Sequence, residues 1–238
     1  SSHFSMKNLN DKKRKIEPSL TTYFSSISRE SLFSRKEERE IFQLLERQEN
    51  TYLEHLISLP EISIPILVSH LEKFSRSTQE DKLATIKPLK HLIKLFKTGE
   101  IEKASKYYVK QSRNHPLIKD IKSDLYSKVQ KAKFKNGGIN WIDKLIELRR
   151  SYLETKNNIV QHNLKLVVSL VYKINIHALI PDLIQEGNIG LMRAVEKFNW
   201  RNEVRFSTYA CWWIKQSIRR YIADKMKIIR NPVHVSDK

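Results

Sequence analysis

A single cysteine, Cys211, stands among 238 residues, which excludes an internal disulfide and a cysteine-cluster zinc site and makes the cytoplasm the natural compartment. Glycine is nearly as scarce. Gly99, Gly137, Gly138, Gly187 and Gly190 are too few for a turn-rich sheet fold, and neither a Walker pattern nor a GxGxxG can be assembled from them. No run approaches the ~20 apolar residues of a membrane span, and Ser1 to Lys15 holds no apolar core of a signal peptide. Met6 reads as the native start. Acidic residues are the other deficit: 26 against 44 Lys and Arg give a net charge of +18. That balance favours nucleic acid or an anionic surface as partner and says nothing of fold. Catalytic groupings are missing too. His162, His177 and His234 lie far apart in sequence with no paired thiol, serine elbow or carboxylate, so no enzymatic activity and no metal or other cofactor is expected.

What is present is helical periodicity. Residues 1–16 are polar, with a basic run Asp11-Lys12-Lys13-Arg14-Lys15, and read as a flexible tail. Ser34-Arg35-Lys36-Glu37 fits a capping box. The helix behind it carries Ile41, Leu44, Leu45, Gln48 and Tyr52 as its inner stripe. Between Pro60 and Tyr152 several amphipathic helices are expected, separated at Pro65, Pro88, Gly99, Pro116 and Gly137-Gly138. Leu89, Leu92, Ile93 and Phe96 make one stripe there, and Ile118, Ile121, Leu125 and Val129 another. This stretch bears no chemical motif, and its lysine-rich outer faces read as solvated. The fold class is all-α.

Beyond Tyr152 the pattern sharpens. Leu153, Ile159, Leu164, Val167, Val168, Val171 and Tyr172 stripe a long helix. Pro181 and Asp182 open the next, with Asp182 placed to cap it or to favour its dipole. Leu183, Gly187, Leu191, Ala194, Val195 and Phe198 run down one side. Each helical glycine costs about 1 kcal/mol relative to alanine, so Gly187 and Gly190 predict a close approach to a neighbouring helix.

The last helix, expected over about 207–225, divides its chemistry by angle. At 100° per residue, Tyr209, Trp212, Trp213, Gln216, Arg219 and Arg220 share a sector of about 120°. Ala210, Ile214, Ile218, Tyr221 and Ile222 take the other side. A soluble protein does not ordinarily expose rings beside cations in this way. Such a face suits unpaired nucleic acid, with rings stacking on bases, arginines on phosphates and Gln216 able to read a base edge. Two alternatives stay open at this level: Trp213 as a buried anchor with Trp212 against the central helices, or a protein-interaction module whose tryptophans are hot spots. Salt separates nucleic acid from protein, because phosphate contacts weaken steeply as salt rises.

The run Asp182-Leu183-Ile184-Gln185-Glu186-Gly187-Asn188-Ile189-Gly190-Leu191-Met192, followed by Arg205-Phe206-Ser207-Thr208-Tyr209-Ala210-Cys211-Trp212-Trp213-Ile214-Lys215-Gln216, resembles conserved region two of bacterial sigma-70 family initiation factors. Asn163-Leu164-Lys165-Leu166-Val167-Val168 is similar to the start of that region, and Arg230-Asn231-Pro232-Val233-His234 to its exit. Pro18 through Glu38, with Tyr23, Ile27 and Leu32, is similar to the second part of conserved region one. The resemblance divides the chain into a tail at 1–16, region 1.2-like helices at 17–58, a helical insert without family counterpart at 59–151, region two at 152–229, and the start of a linker at 230–238. The family's later domains lie beyond this point, so the chain reads as a fragment of an alternative, group 2-like factor.

The resemblance implies a non-enzymatic domain that docks on core RNA polymerase and opens promoters at the minus-ten element. Leu164, Val167, Asp182, Gln185, Glu186, Asn188 and Met192 match positions that meet a coiled coil of the largest polymerase subunit. Phe198, Thr208, Tyr209 and Trp212 match a pocket for a base flipped from the non-template strand, with Ser207 beside them and Trp212 and Trp213 together as a wedge at the fork. Gln216 and Arg219 match the turn facing upstream duplex; Arg205, Lys215 and Arg220 match phosphate contacts; Asn163 and Leu166 match a second, downstream base pocket. An anti-sigma regulator is a further partner the resemblance admits, and a membrane is not. Departures from the pattern are Pro181 at the polymerase surface, Arg219 on the base-reading turn, Trp200 and Asn202-Glu203-Val204 in the preceding loop, and Asn231 before the final proline.

Overall fold

A computed structural model describes residues 31–75, 82–112, 116–136, 139–174 and 179–228. The tail at 1–16, the helices expected before Glu30, Gly137-Gly138, His177 and the exit segment from Arg230 lie outside the described residues. Among those described there are eight helices and no strand, so the chain is all-α. They are α1 (Arg35–Ile57), α2 (Pro60–Ser75), α3 (Lys82–Lys97), α4 (Ile101–Ser112), α5 (Pro116–Asn136), α6 (Ile139–Tyr172), α7 (Ile180–Lys197) and α8 (Phe206–Ile228). None is long and apolar enough to cross a membrane. The chain divides into two compact units, one of residues 1–41 with 156–238 and the other of residues 42–155.

The second unit is built around one apolar cluster. Leu53, Leu56 and Ile57 of α1, Leu67 of α2, Leu89 and Leu92 of α3, Tyr108 of α4, Ile121 and Leu125 of α5 and Leu145 of α6 are all buried in it. The stripes Leu89, Leu92, Ile93, Phe96 and Ile121, Leu125, Val129 face inward as their spacing predicts. Two proline boundaries are corrected: Pro65 and Pro88 lie inside α2 and α3. Each removes one amide donor and so one hydrogen bond. Burial of Ile66 and Leu67, and of Leu89, Leu92 and Ile93, on the following turns holds both helices together across the gap. The inner stripe of α1 is also re-registered. Phe42 and Leu45 are buried whereas Leu44 is exposed, since two interleaved sets of apolar residues satisfy the same spacing. Aromatic groups brace this unit: Lys122 sits over the parallel rings of Tyr52 and Tyr152 at 5.7 and 5.6 Å, and pairs with Glu49 at 3.0 Å.

The first unit places the candidate site. Val167, Leu170 and Val171 of α6, Leu183, Ile184, Leu191, Ala194 and Val195 of α7, and Phe206, Ala210, Ile214 and Ile218 of α8 are its buried apolar residues. Helices α7 and α8 approach closely where glycine leaves room. A β-carbon on Gly190 would lie 2.7 Å from the Trp213 carbonyl oxygen and 2.9 Å from the Ile214 Cα, and one on Gly187 only 2.5 Å from Val167 Cγ1. The capping box forms: the Glu37 carboxylate accepts the Ser34 amide at 2.7 Å, and Ser34 Oγ accepts the Glu37 amide at 3.3 Å. Asp182 does not cap α7. Leu179 is the residue before the helix and offers no side-chain bond, while the Asp182 carboxylate instead accepts the Tyr221 hydroxyl of α8 at 2.8 Å.

Candidate nucleic-acid interface

The helix carrying the candidate site begins at Phe206 and is fixed from outside itself. Its first amide donates to Glu38 Oε1 at 2.9 Å, and the other oxygen of that carboxylate accepts Arg205 Nε at 3.2 Å. A second guanidinium nitrogen of Arg205 donates to the Phe33 carbonyl at 2.9 Å. Arg35 reaches the Glu203 carbonyl at 2.9 Å, so the loop entering α8 is tied to the first turn of α1 at several points. Glu38 thus acts as an N-cap supplied across the unit, placing negative charge where the α8 dipole is positive. The loop itself turns at Asn199, whose side-chain oxygen accepts the Arg201 amide at 3.1 Å.

On α8 the division by angle is realised. Ala210, Ile214 and Ile218 are fully buried, and Ser217 with them. On the other side Trp212 is 61% exposed, and Thr208, Lys215, Gln216, Arg219 and Arg220 are exposed. The rings form a connected array. Phe198 lies 5.2 Å from Phe206 and 5.5 Å from Tyr209, Tyr209 lies 6.3 Å from Trp213, and Trp213 meets Trp212 edge-on at 5.1 Å. Such tilted and T-shaped contacts add to area burial and hold each ring in one orientation. The Tyr209 hydroxyl donates to the Lys197 carbonyl at 3.3 Å, and the Lys197 ammonium stands 5.5 Å from the Trp213 ring centre. Tyr209 and Trp213 are half-buried, and the Trp213 indole nitrogen is buried without a hydrogen-bond partner. Trp213 therefore anchors the array, and Trp212 is its projecting member.

Several expected contacts are placed elsewhere. Asn163 is 4% exposed and its amide donates to the Ile159 carbonyl at 2.8 Å, so it faces packing and cannot line an open pocket. Val167 is fully buried against Gly187, which removes it from any docking surface. Arg205 is held by Glu38 and Phe33 and is not an uncommitted cation. Leu164, Leu166 and Ser207 are half-buried. On α7, Asp182, Gln185 and Met192 are exposed, with Glu186 and Asn188 half-buried, on the side away from Leu183, Leu191 and Ala194.

Some partners of the site have no signal in the sequence. Glu38 meets residues 167 and 168 positions away. Phe33 stacks on His162 at 4.2 Å, and Arg39 and Arg201 lie 5.9 and 4.3 Å from the Trp200 ring centre. Among the described residues no cluster of side chains could hold a metal ion.

Comparison with known proteins agrees with this geometry. Residues 159–228 match the family described as sigma-70 region 2. The RNA polymerase sigma factor SigA of Microcystis aeruginosa is 34% identical over 199 residues, 74% of this chain and 47% of that protein. SigA of Synechocystis sp. is 40% identical over 141 residues, 57% of this chain and 33% of its own. RpoD of Neisseria gonorrhoeae is 54% identical over 81 residues, 34% of this chain and 13% of its own. The chain spans less than half the length of these relatives. The ring-bearing α8, the glycines that seat it on α7 and the matches to sigma factors together place the chain in the sigma-70 family, with region 2 at residues 159–228.

Proposed function

We propose that this chain acts as part of a sigma factor, docking on core RNA polymerase and opening promoter DNA at the minus-ten element by capturing bases that leave the non-template strand. The observation that carries this reading is the exposed Trp212 at the end of the Phe198–Tyr209–Trp213 ring array, on the face opposite the buried Ala210, Ile214 and Ile218. Extruding a base costs a few kcal/mol, and a ring waiting in the correct plane offsets that by ~1–3 kcal/mol per stacked base. Phe198, Thr208 and Tyr209 would wall the captured base, while Trp212 with Trp213 would replace the stacking partner lost at the fork. Lys215 and Arg220 would hold phosphates without reading them, with Arg219 and Gln216 turned to upstream duplex. Leu166 would border a second base downstream. Arg205 takes a positioning role, keeping the entrance of α8 in place through Glu38.

Polymerase docking is assigned to the outer face of α7: Asp182, Gln185, Glu186, Asn188 and Met192, with Leu164 at its border. Met192, 40% exposed, is an adaptable thioether suited to a partner helix. The assignment separates the two functions by helix, and that is testable. With core polymerase present, Trp212→Ala or Tyr209→Ala should lower affinity for fork-junction DNA carrying a single-stranded minus-ten segment by about 10- to 100-fold. Co-elution with polymerase should persist. Equal loss of DNA and polymerase binding contradicts the division.

A further inference from the structure

Helix α3 contains no Asp or Glu anywhere in Lys82–Lys97. Leu89, Leu92, Ile93 and Phe96 bury one side of it. At 100° per residue, Lys87, Lys90, His91, Lys94 and Lys97 fall within a sector of about 120° on the opposite side, and all five are exposed. Among the described residues none of the four lysines pairs with an acid. Cations elsewhere in the same unit do: Lys103 with Glu100, Lys106 with Glu102 at 2.6 Å, Lys144 with Glu147 and Arg150 with Glu154, both at 2.9 Å. Like charges three and four residues apart on a helix repel one another, so this face is held against its own electrostatics and invites an anion to relieve it.

The spacing narrows the anion. Lys87 to Lys97 covers ~15 Å at 1.5 Å per residue, which is the axial length of about four phosphates on one strand of B-DNA. Among the described residues of α3 the only exposed ring beside the lysines is the His91 imidazole, which meets the half-buried Tyr107 edge-on at 4.6 Å. The face can therefore neutralise phosphates but carries no connected array of rings on which to stack a base. Insertion into a bilayer is also disfavoured, because the described apolar side chains of α3 are packed into the core rather than offered outward.

We propose that the outer face of α3 is a second, sequence-independent contact for the phosphate backbone of duplex DNA. The choice of DNA as the polyanion rests on the function proposed above. The test uses the full chain with core RNA polymerase and two DNAs: a fork junction with a long duplex flank, and duplex of scrambled sequence. Replacing all four lysines (K87Q, K90Q, K94Q, K97Q) should flatten the slope of log affinity against log salt by about 3 to 4 on both, since each lost phosphate contact removes ~0.9. The order of preference among minus-ten bases should not change. A companion with all four changed to arginine should restore the wild-type slope, which a folding defect in the glutamine variant would not explain. Trp212→Ala, run in parallel, should abolish base preference and leave the slope on scrambled duplex intact. If Trp212→Ala keeps base preference, the minus-ten reading fails while the slope measurement still decides the role of α3. An unchanged slope in the glutamine variant overturns the proposal. So does a binding defect confined to phosphatidylserine vesicles or to polyglutamate.

Discussion

Helices α8 and α3 each turn a basic sector away from an aliphatic one, yet only α8 interleaves tryptophan and tyrosine among its cations. The difference matches two kinds of recognition. Phosphates repeat along a strand and tolerate imprecise placement, so a lysine face needs only a helix of the right length to carry it. A base must be met in the plane of its ring, which demands that the receiving helix be fixed. The supports differ accordingly. Helix α3 is seated by ordinary interdigitating leucine, isoleucine and phenylalanine side chains. Helix α8 is clamped: glycine contacts bring its backbone against α7, Glu38 holds its first amide, and the Tyr221 hydroxyl binds Asp182 of α7.

The strongest way to break that contrast is to push α8 off α7. Gly190→Ala places a methyl group against the backbone of α8, which cannot swing aside, and should cost about 3 kcal/mol of stability. Thermal unfolding followed by circular dichroism reads this as a large fall in Tm. Gly99→Ala is the matched control. Gly99, in the turn after α3, has φ 78° and open space around it, so only its left-handed backbone opposes a side chain. About 1 kcal/mol is expected there.

Trp212→Ala comes next and sharpens the comparison by removing a ring while leaving the scaffold alone. Its exposure predicts a stability change within about 0.5 kcal/mol, against a loss of about 1–3 kcal/mol in binding a single-stranded minus-ten segment. Glu38→Ala should act in the opposite sense, costing stability because it uncaps α8 and strands Arg205. A loss of about 1–2 kcal/mol is expected from the missing cap, with base discrimination weakened only through misplacement of the rings, so Glu38→Asp should recover part of it.

The smallest effect concerns pH. Hydrogen bonds from Ser34, side chain first and backbone second, hold the Glu37 carboxyl below its ordinary range. A depressed carboxylate stabilises the fold above its unfolded value of 4.5, and that contribution fades as pH falls through the lower folded value. Ser34→Ala should lower Tm slightly at neutral pH, where that contribution is complete, and the gap from the parent protein should close as pH falls along the acid limb of a Tm-against-pH curve. In the unit carrying α3 the limb lies at the other end. Burial pushes the Tyr52 phenol up to about 12, so its contribution is complete below pH 10 and disappears between pH 10 and about 12.

Local patterns carried much of this into the sequence. The α8 face was legible because a single helix determines which residues share a side, and Gly187 with Gly190 announced a close approach because glycine inside a helix needs a reason. The capping box was legible for the same locality. What sequence could not supply was the partner across space. Nothing near Glu38 predicts that it meets Arg205 and Phe206. Asn163 and Val167 sit inside a recognisable motif, but the motif does not say which of its residues turn inward. Pro65 and Pro88 misled because a local breaker was overruled by burial on the next turn; of the two roles open to Asp182, first-turn placement beside the helix dipole holds, whereas capping does not, its carboxylate accepting the Tyr221 hydroxyl instead.

The most direct test places a photoreactive 5-iodouracil at an unpaired position of the non-template minus-ten strand and irradiates it in complex with core polymerase and this chain. Mapping the adduct by mass spectrometry should find it on the Phe206–Arg219 stretch, at Tyr209 or Trp212, and Trp212→Ala should diminish it. Adducts confined to α3, or equal yield when the same base is paired within duplex, would contradict the capture of an unpaired base by α8.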